Sequence, residues 1–168
     1  MKWVNHRITT FAVVFIVTRS FVASLISAFG SVIPDAVEGH NYSSSSWKKN
    51  HRKISHWLLG YVLIAIAIWA VMFISFKVSI LSENSFKALS VFHKINSQTM
   101  LFCAGYGAFF AVIGAILHIL EDALSAPVPL LNPSKRVFCI GLMKTGSIAE
   151  YFLSISLFLL SIFVWQWL

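Results

Sequence analysis

Long apolar runs alternate with short polar connections along the chain. Four runs reach, or nearly reach, the about 20 residues that a helix needs to cross a hydrocarbon core. They are roughly Ile8–Ile33, Trp57–Phe76, Met100–Leu120 and Ile148–Leu168. Inside lipid a peptide group must find its hydrogen bond within its own segment, so runs of this length predict helices. The pattern therefore predicts an all-α integral membrane protein of about four transmembrane helices with short loops, one membrane-embedded domain over residues 1–168. Between the second and third runs, Phe86, Leu89, Phe92 and Ile95 recur at roughly helical spacing within Lys77–Ser97. That predicts a short helix lying in the membrane interface, with His93 at the headgroups rather than in a site.

Composition supports the membrane reading and removes two others. The chain is 58% hydrophobic and 11% charged, which excludes an ordinary soluble domain. Its net charge of +7 invites a nucleic-acid reading. The positive residues, however, sit in short connections beside apolar runs, where the positive-inside bias places them, so no nucleic-acid partner is expected. Cys103 and Cys139 suggest neither a disulfide framework nor a zinc knuckle. The opening Met1-Lys2-Trp3-Val4-Asn5-His6-Arg7 looks like a secretory leader's basic start, read here as the beginning of a retained helix. Arg19 interrupts the first run near the depth of the bilayer centre if that run is one helix. It either pairs internally or holds an anionic substrate group or site carboxylate.

Four crossings bring the end of helix 1, the start of helix 2, the end of helix 3 and the start of helix 4 to one side of the membrane. Asp35, Glu38, His40, His51, His56, His118, Asp122 and Glu150 belong to those ends, and Glu83 is the one carboxylate on the far side. His118 and Asp122 are four apart, one turn above each other on a helix face, a spacing that suits a metal. The plain alternative is a polar helix end meeting water. His51 and His56 bracket the start of helix 2, where a histidine pair is as readily interfacial as ligating. The flexible Ser43-Ser44-Ser45-Ser46 linker and the basic Lys48, Lys49, Arg52 and Lys53 precede it. Gly105-Tyr106-Gly107-Ala108 and Gly114-Ala115 are small residues that let helices approach closely.

Taken together, the cluster suits one or more divalent metals on mixed histidine and carboxylate ligands: Asp35, His51, His56, His118 and Asp122. Zinc comes first, with manganese and iron compatible with the same donors. A carboxylate outside the ligand set, Glu150 or Glu38, would serve as general base or orient a histidine. A straight first helix puts His6 about 40 Å from Asp35, on the opposite face. His6 joins the site only if that helix breaks or turns back. Lys and Arg number seven on the site side (Lys48, Lys49, Arg52, Lys53, Lys135, Arg136, Lys144) and five on the other (Lys2, Arg7, Lys77, Lys87, Lys94), which turns the site to the cytoplasm and both termini away from it.

These motifs in this order resemble the YdjM-like family of predicted membrane-bound, metal-dependent hydrolases of bacterial inner membranes. The family pattern has an early His, Pro-Asp-x-Asp, a His-Arg-x-x-Thr/Ser-His-x-Leu-Leu box, His-x-x-x-Asp before Pro-Leu-Leu-x-Pro, and Gly-Ser-x-x-Glu. Matching residues are His6; Pro34-Asp35; His51-Arg52 with Ser55-His56-Trp57-Leu58-Leu59; His118 and Asp122 with Pro129-Leu130-Leu131-Asn132-Pro133; and Gly146-Ser147 with Glu150. The order of ligand types is also similar to zinc-dependent phospholipase C and related phosphodiesterases. One position departs: Val37 stands where the family has its second Asp, with Glu38 next to it.

The reading that follows is a membrane-embedded metal-dependent hydrolase. It would act on a phosphoester or similar bond of a membrane lipid or lipid-linked substrate. The alternative is a catalytically degenerate membrane scaffold, a subunit of a larger assembly or a homo-oligomer that retains a structural metal. Val37 favours that alternative.

Overall fold

The computed structural model of the protein describes residues 1–39, 52–83 and 91–167, and of 76–83 and 91–99 the backbone alone. Among these residues the regular structure is helical apart from one isolated antiparallel bridge, Val128 to Phe138, within the irregular connection 124–147. The elements are α1 (Trp3–Thr18), α2 (Phe21–Gly30), α3 (Ile33–Glu38), a 3-10 turn (Ile54–His56), α4 (Leu58–Glu83), α5 (Val91–Ala123) and α6 (Ile148–Trp165). Among the described residues four stretches are long and apolar enough to cross a membrane: Phe21–Glu38, Leu58–Ser75, Met100–Ala123 and Ile148–Trp165.

The first apolar run is not one helix. Arg19 takes a left-handed conformation (φ 54) and closes α1, its N–H donating to the Phe15 carbonyl at 2.8 Å. Ser20 then caps α2, accepting from the Ala23 N–H at 3.2 Å. A short hydroxyl side chain at that position satisfies one of the orphan donors of a helix start. The chain doubles back, so Phe11 meets Phe21 edge-on and the Trp3 indole reaches Asp35. Two expectations change with this hairpin. Arg19 sits exposed at the bend, remote from the site, and has no part in holding a substrate there. Lys2 and Arg7 belong to the site end of the bundle, as does the start of α1, because the Lys2 N–H donates to Glu150.

A left-handed non-glycine residue costs on the order of 1 kcal/mol, so Arg19→Gly is expected to stabilise the protein by about that amount. Arg19→Ala, which removes the charge and keeps the strain, is the control. Thermal unfolding of both variants in detergent checks this; equal midpoints would remove strain as the explanation.

Around the hairpin the helices pack in register. α1 runs parallel to α6, with Thr9 bonded to Ser154 and Phe15 stacked on Trp165. α2 runs parallel to α5 at very close range. A Cβ on Gly114 would lie 2.0 Å from the Ser27 carbonyl oxygen, and one on Gly30 would lie 2.2 Å from that of Ala111. The Gly114-Ala115 expectation holds here, whereas Gly107 faces open space. Many buried positions are small and polar (Thr9, Thr10, Ser24, Ser27, Ser154), while Trp69, Phe152 and Phe163 face outward, more than half exposed. Lipid supplies no hydrophobic drive between helices, so close backbone packing and interior hydrogen bonds hold such a bundle.

The interfacial helix expected within Lys77–Ser97 is partly absorbed. α4 runs on to Glu83, and Val91–Ser97 belong to the long α5; Phe86 and Leu89 lie outside the described residues. The proline-rich connection has a definite task. Leu58 and Leu59 donate to the Pro129 and Leu130 carbonyls at 3.2 and 3.1 Å, and the Trp57 indole donates to Leu131 at 2.9 Å. Those are orphan donors at the start of α4, satisfied by a loop whose prolines have no N–H to compete. The start of α4, and with it His56, is thereby held against the end of α5.

Candidate metal centre

Five side chains from four elements converge where α1, α3, the 3-10 turn and α5 meet. His118 Nε2 lies 3.3 Å from His56 Nε2, 3.6 Å from Asp35 Oδ1 and 3.8 Å from Asp122 Oδ2. His56 Nε2 lies 3.4 Å from Asp35 and 3.5 Å from Asp122. His6 Nε2 is 3.4 Å from Asp122 Oδ1, and its ring stacks on that of His118 with centroids 3.9 Å apart. Two ligand-competent triads result, His6–His118–Asp122 and Asp35–His56–His118, with His118 common to both.

These residues fit a metal. A tetrahedral ion with bonds near 2.0–2.1 Å has its ligand atoms roughly 3.4 Å apart, close to the separations observed. His6 Nε2, which faces the cluster, is buried without a hydrogen-bond partner. Orphaned imidazole nitrogens in a buried cluster are costly unless something uses them.

Carboxylates stand behind the histidines. His6 Nδ1 meets Glu121 Oε2 at 2.6 Å, and Thr10 donates to the other oxygen at 3.0 Å. An ionised Glu121 accepts the hydrogen bond of Nδ1–H and leaves the Nε2 lone pair facing the cluster, the arrangement that typically sets a ligating histidine. On the other side, His56 Nδ1 lies 2.9 Å from Ser55 Oγ and 3.4 Å from Glu38, which accepts from Ser55 Oγ and the Arg52 N–H. Arg52 is left-handed (φ 60), and its guanidinium grips both oxygens of Asp122, at 2.8 and 3.0 Å.

Burial alone would lower the pKa of His56. Its contacts with Asp122, Asp35 and Glu38 outweigh that and raise it to about 10, so without a metal the imidazole is a cation among carboxylates.

Of the residues singled out from the sequence, Asp35, His56, His118 and Asp122 are brought together, and His51 and His40 lie outside the described residues. Glu38 lies behind His56 rather than among the converging atoms. Glu150 is buried but turned elsewhere: it accepts from the Lys2 N–H, Asn5 Nδ2 and the Gly146 N–H, tying α6 to the start of α1. The hairpin brings in His6. Glu121 went unrecognised, and its signal was a second carboxylate beside Asp122 in a helix otherwise almost free of charge.

No curated protein and no solved structure matches the chain. A family model does, that of the YdjM inner membrane protein, over residues 1–168. By a match that runs its full length, the chain belongs to the YdjM family of inner membrane proteins.

Proposed function

We propose that the protein is a metal-dependent hydrolase acting at the membrane surface on a phosphoester or similar bond of a lipid or lipid-linked substrate. The convergence of His6, Asp35, His56, His118 and Asp122 at metal-ligand separations supports this most directly. Zinc suits the donors best, and manganese or iron fit the same set. When bound, such an ion polarises a phosphoryl oxygen and makes its water a nucleophile near neutral pH.

The chain's own residues do the rest. Glu121 and Glu38 hold the rings of His6 and His56. Asp35 is the most exposed of the five, its side chain at 15% against 0–2% for the other four, so the cluster opens on its side. Arg52 stands beside Asp122 as a cation able to face anionic phosphoryl oxygens. Of the two carboxylates considered as general base, Glu38 stands behind His56 and Glu150 is committed to three structural donors, so neither faces the converging atoms. Among the described residues the site end carries Lys2, Arg7, Arg52, Lys53, Lys135, Arg136 and Lys144, against Arg19, Lys77 and Lys94. That bias turns the site to the cytoplasm.

The test is zinc or manganese titration of the purified protein, followed by a phosphodiester hydrolysis assay. Ligation requires a neutral imidazole, and His56 is cationic up to about pH 10. Metal uptake at pH 7.5 should therefore release about one proton from it, and apparent affinity should rise with pH by up to about tenfold per unit below pH 10. The sign for the metal-free protein is opposite. A raised histidine pKa stabilises it fully below about pH 6.5, and that contribution is lost as pH rises through 10. Stoichiometric metal with no hydrolysis of any phosphoester would overturn the enzyme in favour of a scaffold with a structural metal.

A further inference from the structure

A cleft of about 870 Å³ opens beside the cluster, between the end of α3, the 3-10 turn, the first turns of α4 and the loop at Pro133. Its size falls in the range of small-molecule sites, roughly 300–1,000 Å³. Its two ends differ in chemistry. At one end are Lys53 and the Glu38–Ser55 pair that backs His56. Toward the other end the walls are Trp57, Leu63 and Ile64, and these two aliphatic residues belong to the candidate span Leu58–Ser75. One end is therefore at the site and the other at the depth of lipid.

We propose that this cleft seats the hydrocarbon chain of a membrane amphiphile, with its anionic headgroup at the Lys53 end. The proposal deepens the hydrolase reading and rests on it for the reacting bond, though not for the seat itself. Three observations favour this occupant over a soluble molecule. Leu63 and Ile64, each about half exposed, carry its wall along the candidate span of α4. Ile54, 75% exposed, and Val37, 70% exposed, line it near the mouth, where a water-soluble polar ligand would gain nothing from them. Val37 is also the position where this chain departs from Pro-Asp-x-Asp. An aliphatic wall there lets an acyl chain pass beside the cluster, where a carboxylate would repel it. Lys53 complements an anionic headgroup and leaves a zwitterionic one at a disadvantage.

The test uses the full chain in phosphatidylcholine nanodiscs doped with an anionic phospholipid carrying a diazirine in its acyl chain. After illumination, adducts are mapped by peptide mass spectrometry. Labelling of the Ile54–Ile64 segment is expected to fall at least about fivefold with unlabelled anionic lysophospholipid, but not with its zwitterionic counterpart. Lys53→Glu should lower it similarly and Lys53→Arg should preserve it, while labelling of the outward face of α6 stays constant in each case. Labelling of this segment that no competitor displaces, or that Lys53→Glu leaves unchanged, overturns the proposal. The same measurement on His118→Ala separates the two readings. Competable labelling without bound metal confirms the seat independently of the hydrolase. Wild-type protein with metal and hydrolysis but no competable labelling rejects the seat and leaves the hydrolase standing.

Discussion

Replacing His118 with alanine is expected to abolish stoichiometric metal binding, lowering affinity by more than about 100-fold, and to remove any hydrolysis that depends on it. The reason is positional. His118 belongs to both triads, so no subset of the remaining residues keeps three convergent donors of either. The ring is 1% exposed and stacked on His6, so its removal also leaves a hole beside His6. A loosened core would also lose metal, and a second variant separates the two. Asp35→Asn keeps volume and packing at the most open ligand and removes only the charge. Elemental analysis of both purified variants, beside a thermal unfolding curve, decides the matter. Wild-type metal content in His118→Ala would sink the site as drawn.

Gly114→Val is expected to have the second-largest effect, and it touches no ligand. A Cβ at 114 would stand 2.0 Å from the Ser27 carbonyl oxygen and 2.8 Å from the Ser31 N atom. Backbone cannot rotate away as a side chain can, so α2 must move off α5. Overpacking of this kind costs typically about 1–3 kcal/mol where side chains give way, and more is expected where the backbone must. The displacement would carry α3 and Asp35 away from His56 and His118, so metal content should fall along with the midpoint of unfolding. Gly107→Val is the matched control. Nothing lies within 4 Å of a Cβ there, and the variant should be close to neutral. If the two variants behave alike, close approach of α2 and α5 is not what assembles the site.

The chemistry of the centre was legible before its geometry. Histidine and carboxylate side chains are costly at a membrane's edge, so their concentration at helix ends pointed to a site, and Asp35, His56, His118 and Asp122 do converge. Glu121 was overlooked because sequence spacing ranks residues by the face they share with a candidate ligand. Its task, holding His6, depends on a partner more than a hundred residues away. Glu150 shows the converse. An ionisable group at a helix start looks functional, but its three donors come from α1 and the preceding turn, which no local pattern exposes.

By itself the sequence determined the helical class, the membrane setting and the residue types of the candidate site, because apolar length and the cost of buried charge act locally along the chain. Only the tertiary structure decided that the first apolar run is a hairpin and that His6 reaches the site. Along the sequence Thr18-Arg19-Ser20 are three polar positions in one apolar stretch. Whether they bend the chain depends on the left-handed turn at Arg19 and the cap at Ser20. It depends equally on the reward for bending, the α1–α6 and α2–α5 contacts that a straight helix could not make, and that reward is not carried by any local segment.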